Sequence, residues 1–473
     1  VFYIDRFAGN LKGVHDKLDY LEGLGVNYVH LMPCLKPRPG DSDGGYSVMD
    51  YRRINPKLGS MKDLEALAKE MRKRGMSLCI DMVLNHTAKE HEWAVKARQG
   101  DVDHQNMYWM FDDDAEPKAY ERTLVEIFPD NAPGSFTHYP DMDKWVWTTF
   151  NEHQWDLNWS NPRVFLEIAK IMLFLANKGV DVLRLDAVAF MWKRMGTRCQ
   201  SEPEVHMILR ALRAVTRICA ASVLHLEEAI VGPAEMLTYF GRDEHDGREG
   251  NLAYHNNLMV QYWGALATRN TALMTHVLRT HFPENLTNAT YATYIRCHDD
   301  IGWAITDEDA GALGFSGSAH RAYLSDFYEG TFDGSFAQGA LFQENEATGD
   351  KRISGTFASL AGLERAGGDV ILADLAVQRI LLGNALIASF GGVPLIYMGD
   401  EIALTNDASY LNDPNLAHDS RWIHRPYMDW DRVAGLDADH NTPAAQVFNG
   451  TRHIFARREA TPQRPARRRW GES

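Results

Sequence analysis

The segment PRVFLEIAKIMLFLANKGVDVLRLD, residues 162–186, decides the fold. Its first part has apolar residues at spacings of three and four, which places them on one face of a helix. They are Val164, Ile168, Ile171, Met172 and Leu175. Gly179 then predicts the end of that helix, because glycine readily adopts the positive φ found there. The apolar run 181–185 is too short for a helix and does not alternate, as is typical of a parallel strand buried on both faces.

The same order of helix, glycine and apolar run occurs twice earlier in the chain. One copy ends in the run 27–31 and the other in the run 78–84. Five further runs have the composition of strands: 1–7, 223–228, 258–262, 292–298 and 393–398. Eight parallel strands that alternate with helices predict an α/β fold, the (β/α)8 TIM barrel, whose functional residues lie where the strands end.

Two connections are too long for ordinary loops between a strand and a helix. We predict that residues 86–161 and 301–362 form inserted subdomains on the catalytic face. The barrel itself then comprises three parts, residues 1–85, 162–300 and 363–460. The remaining residues, 461–473, contain three consecutive arginines and are interpreted as a tail.

The composition excludes several classes of protein. The 473 residues carry a net charge of −15, which argues against nucleic-acid binding. Five cysteines without a CxxC pair predict neither a disulfide framework nor a zinc site, so a reducing, cytoplasmic location is expected. The apolar stretch 380–399 is long enough to span a membrane, but Asn384 and a Gly-Gly-Val-Pro break favour a buried helix followed by a strand.

Arg184 and Asp186 end the strand of the opening segment. Side chains alternate along a strand, so these two point to the same side and place a cation beside a carboxylate. Such a neighbour lowers a carboxyl pKa by about 1 to 3 units, which would keep Asp186 ionised as a nucleophile. A structural ion pair that ends the strand is the alternative interpretation.

Two other predicted strands also end in acidic residues. Glu228 follows an apolar run and has Glu227 beside it, so burial and repulsion would raise its pKa and suit it to donate a proton. Either glutamate is alternatively a hydrogen-bonded surface carboxylate. His298, Asp299 and Asp300 close another strand as ligands of a sugar or a metal. Metal binding is disfavoured because no second histidine stands at ligand spacing.

Together these residues indicate a retaining glycoside hydrolase. That chemistry needs one ionised and one protonated carboxyl group about 5 to 5.5 Å apart. Asp186 and Glu228 lie on adjacent predicted strands and suit those roles, with Asp299 as a third carboxylate for the sugar ring. His86 lies at the mouth of the third strand, and the turn after the second strand presents Asp43 and Tyr46.

The chain resembles the α-amylase family of glycoside hydrolases. The general motifs are matched by residues 81–86, by Arg184 with Asp186, by Glu228 and by His298 with Asp299. Within the family it is similar to the amylosucrases over residues 2–458. The segments that carry this narrower likeness are SDGGY 42–46, NHTAKEHEW 85–93, WVWTTFN 145–151, QWDLN 154–158, RCHDDIGW 296–303, SGT 354–356 and DSRW 419–422.

The resemblance implies a substrate and a role for each site residue. Sucrose would bind with its glucosyl ring in a pocket that admits one unit, held by Asp43, Tyr46, His86, Phe150, Arg184, His298, Asp299 and Arg421. Asp300 and Arg352 would lie near the fructosyl and acceptor side. Asp186 would attack, Glu228 would act as acid and then base, and the glucosyl unit would pass to an α-1,4-glucan with release of fructose. This mechanism needs no cofactor and no metal.

Departures from the family pattern limit this interpretation. The helical and β-sandwich domains that flank amylosucrase barrels are expected to be absent, and the oligomeric state is left open. Val125 stands where some members carry an arginine, and Glu227 stands where a small residue is usual. A sucrose hydrolase or another α-glucosidase is the nearest alternative, and a noncatalytic sugar-binding barrel is the more distant one.

Overall fold

The structure, a computed structural model, describes residues 1–128, 132–283, 285–345 and 349–461. Seven parallel strands form one sheet and are hydrogen-bonded in chain order. They are β1 Tyr28–Leu31, β2 Ser77–Val83, β3 Val182–Asp186, β4 Leu224–Glu227, β5 Leu252–Tyr254, β6 Thr290–Thr293 and β7 Val393–Pro394.

The start of the chain closes this sheet into a barrel. The amide of Phe2 donates to the carbonyl oxygen of His30 at 3.1 Å, and the amide of Met398 donates to that of Val1 at 3.0 Å. Residues 1–2 therefore occupy the eighth strand position, between β1 and the segment after β7. The predicted (β/α)8 barrel is confirmed.

Helices cover the outside of the barrel. The longer ones are α1 Met61–Lys73, α2 Pro162–Asn177, α3 Pro203–Cys219, α4 Asn256–Thr268, α5 Val370–Phe390 and α6 Pro443–Ala460. The segment 162–186 folds as expected, since α2 ends before Gly179 and β3 follows. Gly179 has a φ of +96°, and a Cβ there would lie 2.9 Å from the Cβ of Ala68, so both conformation and space require glycine.

Two of the eight predicted strands are wrong in position. In the run 1–7, Ile4–Ala8 is a helix whose Ile4 and Phe7 point into the core three residues apart. The run 258–262 lies inside α4. This helix is buried nearly all round, so its sequence has no polar face to reveal a helical period. The true sixth strand of the barrel, Leu252–Tyr254, is only three residues long.

The helix α5 corresponds to part of the apolar stretch noted above. It is the one helix of the described residues that is long and apolar enough to cross a membrane, by length and composition alone. In its most apolar 18-residue stretch, 33% of the residues are buried. The helix packs between the barrel and α6 and leaves Val370 and Ile371 exposed. The predicted buried helix is therefore only partly buried.

The segments predicted to be inserted subdomains have their own small sheets. Between β2 and α2 lie the helices Glu92–Arg98 and Val102–Gln105, the sheet Met110–Phe111, Phe136–Tyr139 and Lys144–Trp147, and the pair His86–Ala88 and Gln154–Asp156. After β6 lie the helices Asp307–Ala312, Gly317–Glu329 and Phe357–Ala361 and the hairpin Ala340–Asn345 with Asp350–Ser354. The exact division into domains stays a prediction, and residues 462–473 of the predicted tail lie outside the described residues.

Candidate active site

One buried guanidinium group connects the acidic residues at the carboxyl ends of three neighbouring strands. Arg184 is 2% exposed, and its Nη1 lies 3.0 Å from Oδ1 of Asp81 and donates a hydrogen bond to Oδ1 of Asp186. Its Nη2 lies 3.9 Å from Oε1 of Glu228. These contacts follow from the register, because Arg184 is paired with Asp81 on β2 and with Leu226 on β4.

The backbone after β3 turns so that it meets Glu228. The amide of Ala187 donates to Oε2 of Glu228 at 2.7 Å. Ala187 has a φ of +54°, the left-handed region that alanine rarely adopts. Such local strain is found mainly where a functional geometry requires it. The two predicted catalytic carboxyl groups are therefore joined through one arginine and one strained peptide.

Burial dominates the protonation of these two groups. It raises the pKa of Asp186 well above its ordinary value, and Glu228 adds to this while Arg184 opposes it. Burial also raises the pKa of Glu228, again against Arg184. The expectation that Arg184 would set a low pKa for Asp186 is wrong, because loss of hydration outweighs the ion pair. Two close carboxyl groups of this kind titrate as a pair.

A second network surrounds His298. The hydroxyl of Tyr46 lies 2.7 Å from Nε2 of His298 and 3.3 Å from Oδ1 of Asp81. Nε2 of His30 lies 2.9 Å from the other oxygen of Asp81, and Nε2 of His298 lies 3.2 Å from Oδ2 of Asp299. Burial, with Arg184 among the nearby cations, lowers the pKa of His298 well below its usual value. Its ring is therefore neutral at neutral pH, a state suited to hydrogen bonds with sugar hydroxyls.

The predicted pair of Arg421 and Asp43 is present. Nη2 of Arg421 donates to Oδ1 of Asp43 at 3.0 Å and to Oδ2 of Asp419 at 2.9 Å, and Nη1 lies 3.6 Å from Oδ1 of Asp299. Although burial raises it, Arg421 and Arg425 lower the pKa of Asp419 to about 2. Arg421 thus holds three carboxylates in place at one end of the site.

Aromatic rings line the same region. The ring of Phe150 lies 5.4 Å from that of His86, between centroids, and 6.0 Å from that of Phe128. Burial lowers the pKa of His86 to about 4, so this ring is also neutral. The guanidinium carbon of Arg421 lies 5.4 Å from the ring of Phe128 and 4.8 Å from that of Phe342.

The residues predicted on the acceptor side are further out. Nη1 of Arg352 lies 3.8 Å from Oδ2 of Asp300, and its Nη2 donates to the carbonyl oxygen of Ile127 at 3.5 Å. Burial raises the pKa of Asp300, and Arg352 opposes this. Both of these contacts of Arg352 are long ones.

The sequence patterns did not indicate four residues that contact this site, namely His30, Phe128, Phe342 and Asp419. His30 precedes the end of an apolar strand, and the two phenylalanines lie in the inserted segments, where no periodic pattern marks a buried ring. Asp419 lies within the motif DSRW, so its partnership with Arg421 was within reach of sequence reasoning.

A buried ammonium group fixes the first inserted segment to the barrel. Nζ of Lys193 donates to Oδ2 of Asp156 at 2.6 Å and to the carbonyl oxygen of Phe190 at 2.8 Å. The same oxygen of Asp156 accepts from Nδ2 of Asn85 at 3.0 Å, and Asp156 is the register partner of His86. This contact orients the strand that carries His86, and no sequence pattern had indicated Lys193.

Among the described residues, one group has the donor types and spacing of metal ligands, namely Cys297, His298 and Asp299, whose donor atoms lie within 4.8 Å of one another. Burial raises the pKa of Cys297 to about 12. The thiol therefore keeps its proton, whereas metals bind the thiolate. These residues fit a hydrogen-bonding role toward a sugar better than a metal centre.

Comparisons with known proteins find matches that cover most of this chain. The family profile described as the α-amylase catalytic domain matches residues 4–304. The trehalose synthase/amylase TreS of Mycobacterium tuberculosis is 28% identical over 410 residues, which are 86% of this chain and 61% of that protein. The glucosylglycerate phosphorylase of Spirochaeta thermophila is 27% identical over 444 residues, 93% of this chain and 69% of that protein. This chain thus spans about three fifths of the length of its mycobacterial relative.

The fold has a close counterpart among solved structures. The sucrose 6F-phosphate phosphorylase of Thermoanaerobacter thermosaccharolyticum has a TM-score of 0.73 at 19% identity, with 96% of this chain and 85% of that chain covered. At that identity the likeness concerns the fold alone.

Proposed function

This chain belongs to the α-amylase family, and on that premise we propose that it is a retaining glucosyltransferase that uses sucrose as donor and an α-1,4-glucan as acceptor. One observation carries the proposal: a single buried arginine, Arg184, contacts both Asp186 and Glu228. Two carboxyl groups held at one such point suit a double displacement at one anomeric carbon.

In the first step, Asp186 attacks the anomeric carbon of the glucosyl unit. A bond forms between its carboxylate oxygen and that carbon while the bond to the fructose oxygen breaks. Glu228 gives its proton to the departing oxygen, so fructose leaves neutral and a covalent glucosyl-enzyme remains.

The protonation states support this division of roles. Burial raises the pKa of both groups, and two carboxyl groups this close titrate as a pair. Asp186 has the shorter contact to Arg184, so within the pair we assign the ionised role to Asp186 and the proton to Glu228. Nucleophile and acid are thus assigned by the same arginine.

The closed end of the site supports a small donor. Arg421 links Asp43, Asp419 and Asp299, and we infer that these ion pairs close that side of the site to a longer chain. A pocket that ends in buried ion pairs admits one glucosyl unit, as a disaccharide donor requires. The names of the relatives include trehalose, glucosylglycerate and a sucrose phosphate, all of them small glucosyl compounds.

In the second step, Glu228 takes a proton from the incoming hydroxyl, and that oxygen displaces Asp186 from the anomeric carbon. The acceptor then sets the outcome. The 4-hydroxyl of a glucan extends the polymer, whereas water gives glucose. The glucan rests on the sequence likeness to amylosucrases, and hydrolysis of sucrose or another α-glucoside is the alternative. Synthase and phosphorylase relatives add isomerisation and phosphorolysis as competing fates.

A product analysis separates these fates. The chain is incubated with sucrose, with and without glycogen and inorganic phosphate, and fructose, glucose, glucan, sucrose isomers and glucose 1-phosphate are measured. We expect fructose in excess over glucose, with glucan growth that accounts for the difference. Equal release of fructose and glucose without glucan growth would reduce the function to hydrolysis. Accumulation of a sucrose isomer would show that fructose is the acceptor, and accumulation of glucose 1-phosphate would show that phosphate is. If no fructose were released, sucrose would not be the donor.

A further inference from the structure

Three arginines line one open cavity on the face of the barrel opposite the candidate active site. Arg213 and Arg217 lie one turn apart near the end of α3, and Arg248 lies in the loop before β5. The carboxyl end of a barrel helix lies beside the amino end of the strand that follows it, whereas Asp186 and Glu228 lie at the carboxyl ends of their strands. We call this cavity, which has a volume of about 560 Å³, the arginine cleft.

The arginine cleft is positive in a chain whose net charge is −15. Asp246 is the one acidic side chain on its wall within the described residues. The exposed side chains of Arg217 and Arg248 make no hydrogen bond or ion pair with any described residue. Three cations around one cavity repel one another, so an anion inside it would stabilise the arrangement.

The third guanidinium group is held in a fixed orientation. Nη1 of Arg213 donates to the carbonyl oxygens of Glu249 and Gly250, at 2.5 and 3.1 Å. These bonds leave its other nitrogens without a partner among the described residues. A planar guanidinium that is already oriented binds the oxygens of a phosphate group with two parallel hydrogen bonds, at a reduced entropic cost.

Neutral polar groups complete the wall. Asn251, Thr287 and Asn288 line the cleft beside the arginines. Between them Gly247 has a φ of +67°, and a Cβ there would lie 2.3 Å from the carbonyl oxygen of Thr287. The floor of the cleft therefore requires glycine. Amides and a hydroxyl next to a cationic group are the partners that sugar hydroxyls beside a phosphate need.

We propose that the arginine cleft binds the phosphate group of a small molecule, either free phosphate or a phosphorylated sugar. The site is distinct from the proposed active site, because its residues lie at the opposite ends of the strands. Its occupant is a ligand that is not consumed there.

The test compares two double variants with the unmodified protein. The cleft variant combines Arg217→Ser and Arg248→Ser, which removes two exposed cations that have no partner among the described residues. The control combines Arg53→Ser and Arg457→Ser, two exposed arginines that do not line the cleft, and has the same net charge. Calorimetric titration with inorganic phosphate, in chloride buffer of matched ionic strength, measures binding.

We expect the unmodified protein and the control to bind phosphate alike. The cleft variant should bind on the order of a hundredfold more weakly, because each lost charge-assisted contact is worth about tenfold or more. Fructose release from sucrose without phosphate should be equal in all three proteins. Phosphate binding is measured without turnover, so it tests the arginine cleft even if the proposed function is wrong.

A second titration identifies the source of the phosphate group. Glucose 6-phosphate and glucose replace inorganic phosphate as the ligand. Binding of glucose 6-phosphate at least about tenfold tighter than that of phosphate would assign a sugar phosphate, and equal binding would assign free phosphate. The proposal is overturned if neither phosphate compound binds the unmodified protein, or if binding is unchanged in the cleft variant.

Discussion

Two adjacent glutamates at the end of β4 have opposite environments. Glu228 lies at the mouth of the barrel, where an amide donates to it and Arg184 lies nearby. Glu227, in register with Leu185, lies between the sheet and the helices. It is fully buried, and neither of its carboxyl oxygens has a hydrogen-bond partner among the described residues.

Burial raises the pKa of both groups, but only Glu228 has a use for its proton in the proposed mechanism. In the proposed mechanism, Glu228 gives its proton to the leaving oxygen and recovers it from the incoming hydroxyl. Burial raises the pKa of Glu227, and the nearby Glu249 raises it further, while Arg213 opposes both. No substrate reaches that position. The comparison shows that a raised carboxyl pKa alone does not mark a catalytic acid; access and partners decide.

The largest expected effect concerns Asp186, the proposed nucleophile at the mouth of the barrel. Asp186→Asn keeps the shape and the contact to Arg184 but removes the attacking charge. We expect fructose release to fall at least about 10⁴-fold, as for other lost nucleophiles. Thermal unfolding of the variant, followed by circular dichroism, should show an intact fold. Residual turnover within about tenfold of the unmodified enzyme would assign the attack to another group.

The next prediction compares the proposed acid, Glu228, with its neighbour Glu227. Glu228→Gln should lower kcat for sucrose by about 10² to 10⁴-fold, since proton transfer to the leaving oxygen is lost. The variant leaves one titrating carboxyl group in place of a coupled pair, so the alkaline limb of the pH profile should also disappear while the acid limb remains.

Glu227→Gln is the matched control for that experiment, with the same change one residue earlier in the strand. We expect its kcat and pH profile to stay close to those of the unmodified enzyme. A large loss of kcat in this control, with little effect of Glu228→Gln, would exchange the roles of the two glutamates.

A smaller effect concerns the closed end of the pocket, where every carboxylate has a cationic partner. Arg421→Lys keeps the charge near Asp43 and Asp419 but loses the planar fork that joins them. We expect kcat/KM for sucrose to fall about 10² -fold, mainly through KM, since the loss of bonds to one sugar unit weakens binding. An unchanged KM would show that Arg421 has a structural role only.

Sequence patterns predicted the parts of this molecule that repeat. The order of α2, Gly179 and β3 is periodic, and it led to the barrel and to Arg184, Asp186 and Glu228 at strand ends. The helix α4 was missed because burial on all sides removes the polar face from which a helical period is recognised. The strand Leu252–Tyr254 is too short to carry any pattern.

The site was predictable only as far as its residues stand in motifs. Phe128 and Phe342 approach Arg421 from two separate inserted segments, and nothing local to either segment indicates this contact. The protonation of Asp186 was mispredicted for a related reason. The sequence shows Arg184 as a neighbour, but the loss of hydration depends on everything that packs around the pair.

The smallest expected effect concerns Glu227, which has no hydrogen-bond partner among the described residues, and is measured as a change in the free energy of unfolding. Its pKa in the folded protein lies well above that in the unfolded chain, so the folded state binds the extra proton. The contribution of this carboxyl group to the free energy of unfolding is therefore fully present below about pH 4.5. It falls by about 1.4 kcal/mol per pH unit as the pH rises toward the folded pKa. Glu227→Gln has no proton to lose, and its advantage in unfolding free energy over the unmodified protein should grow with pH at that rate.

Urea unfolding at several pH values between about 5 and 8 measures this difference. Glu249→Gln is the contrasting variant, because Glu249 is bonded to Nδ1 of His206 at 2.5 Å and lies 3.3 Å from Nη1 of Arg210. The glutamine keeps one acceptor oxygen but places an NH2 group where the other oxygen was, so one donor loses its acceptor and the negative charge beside Arg210 is lost. Stability should therefore fall where Glu227→Gln raises it. If both variants lowered stability equally at every pH, Glu227 would have to be ionised and partnered in the folded protein, and the contrast between the two glutamates of β4 would be lost.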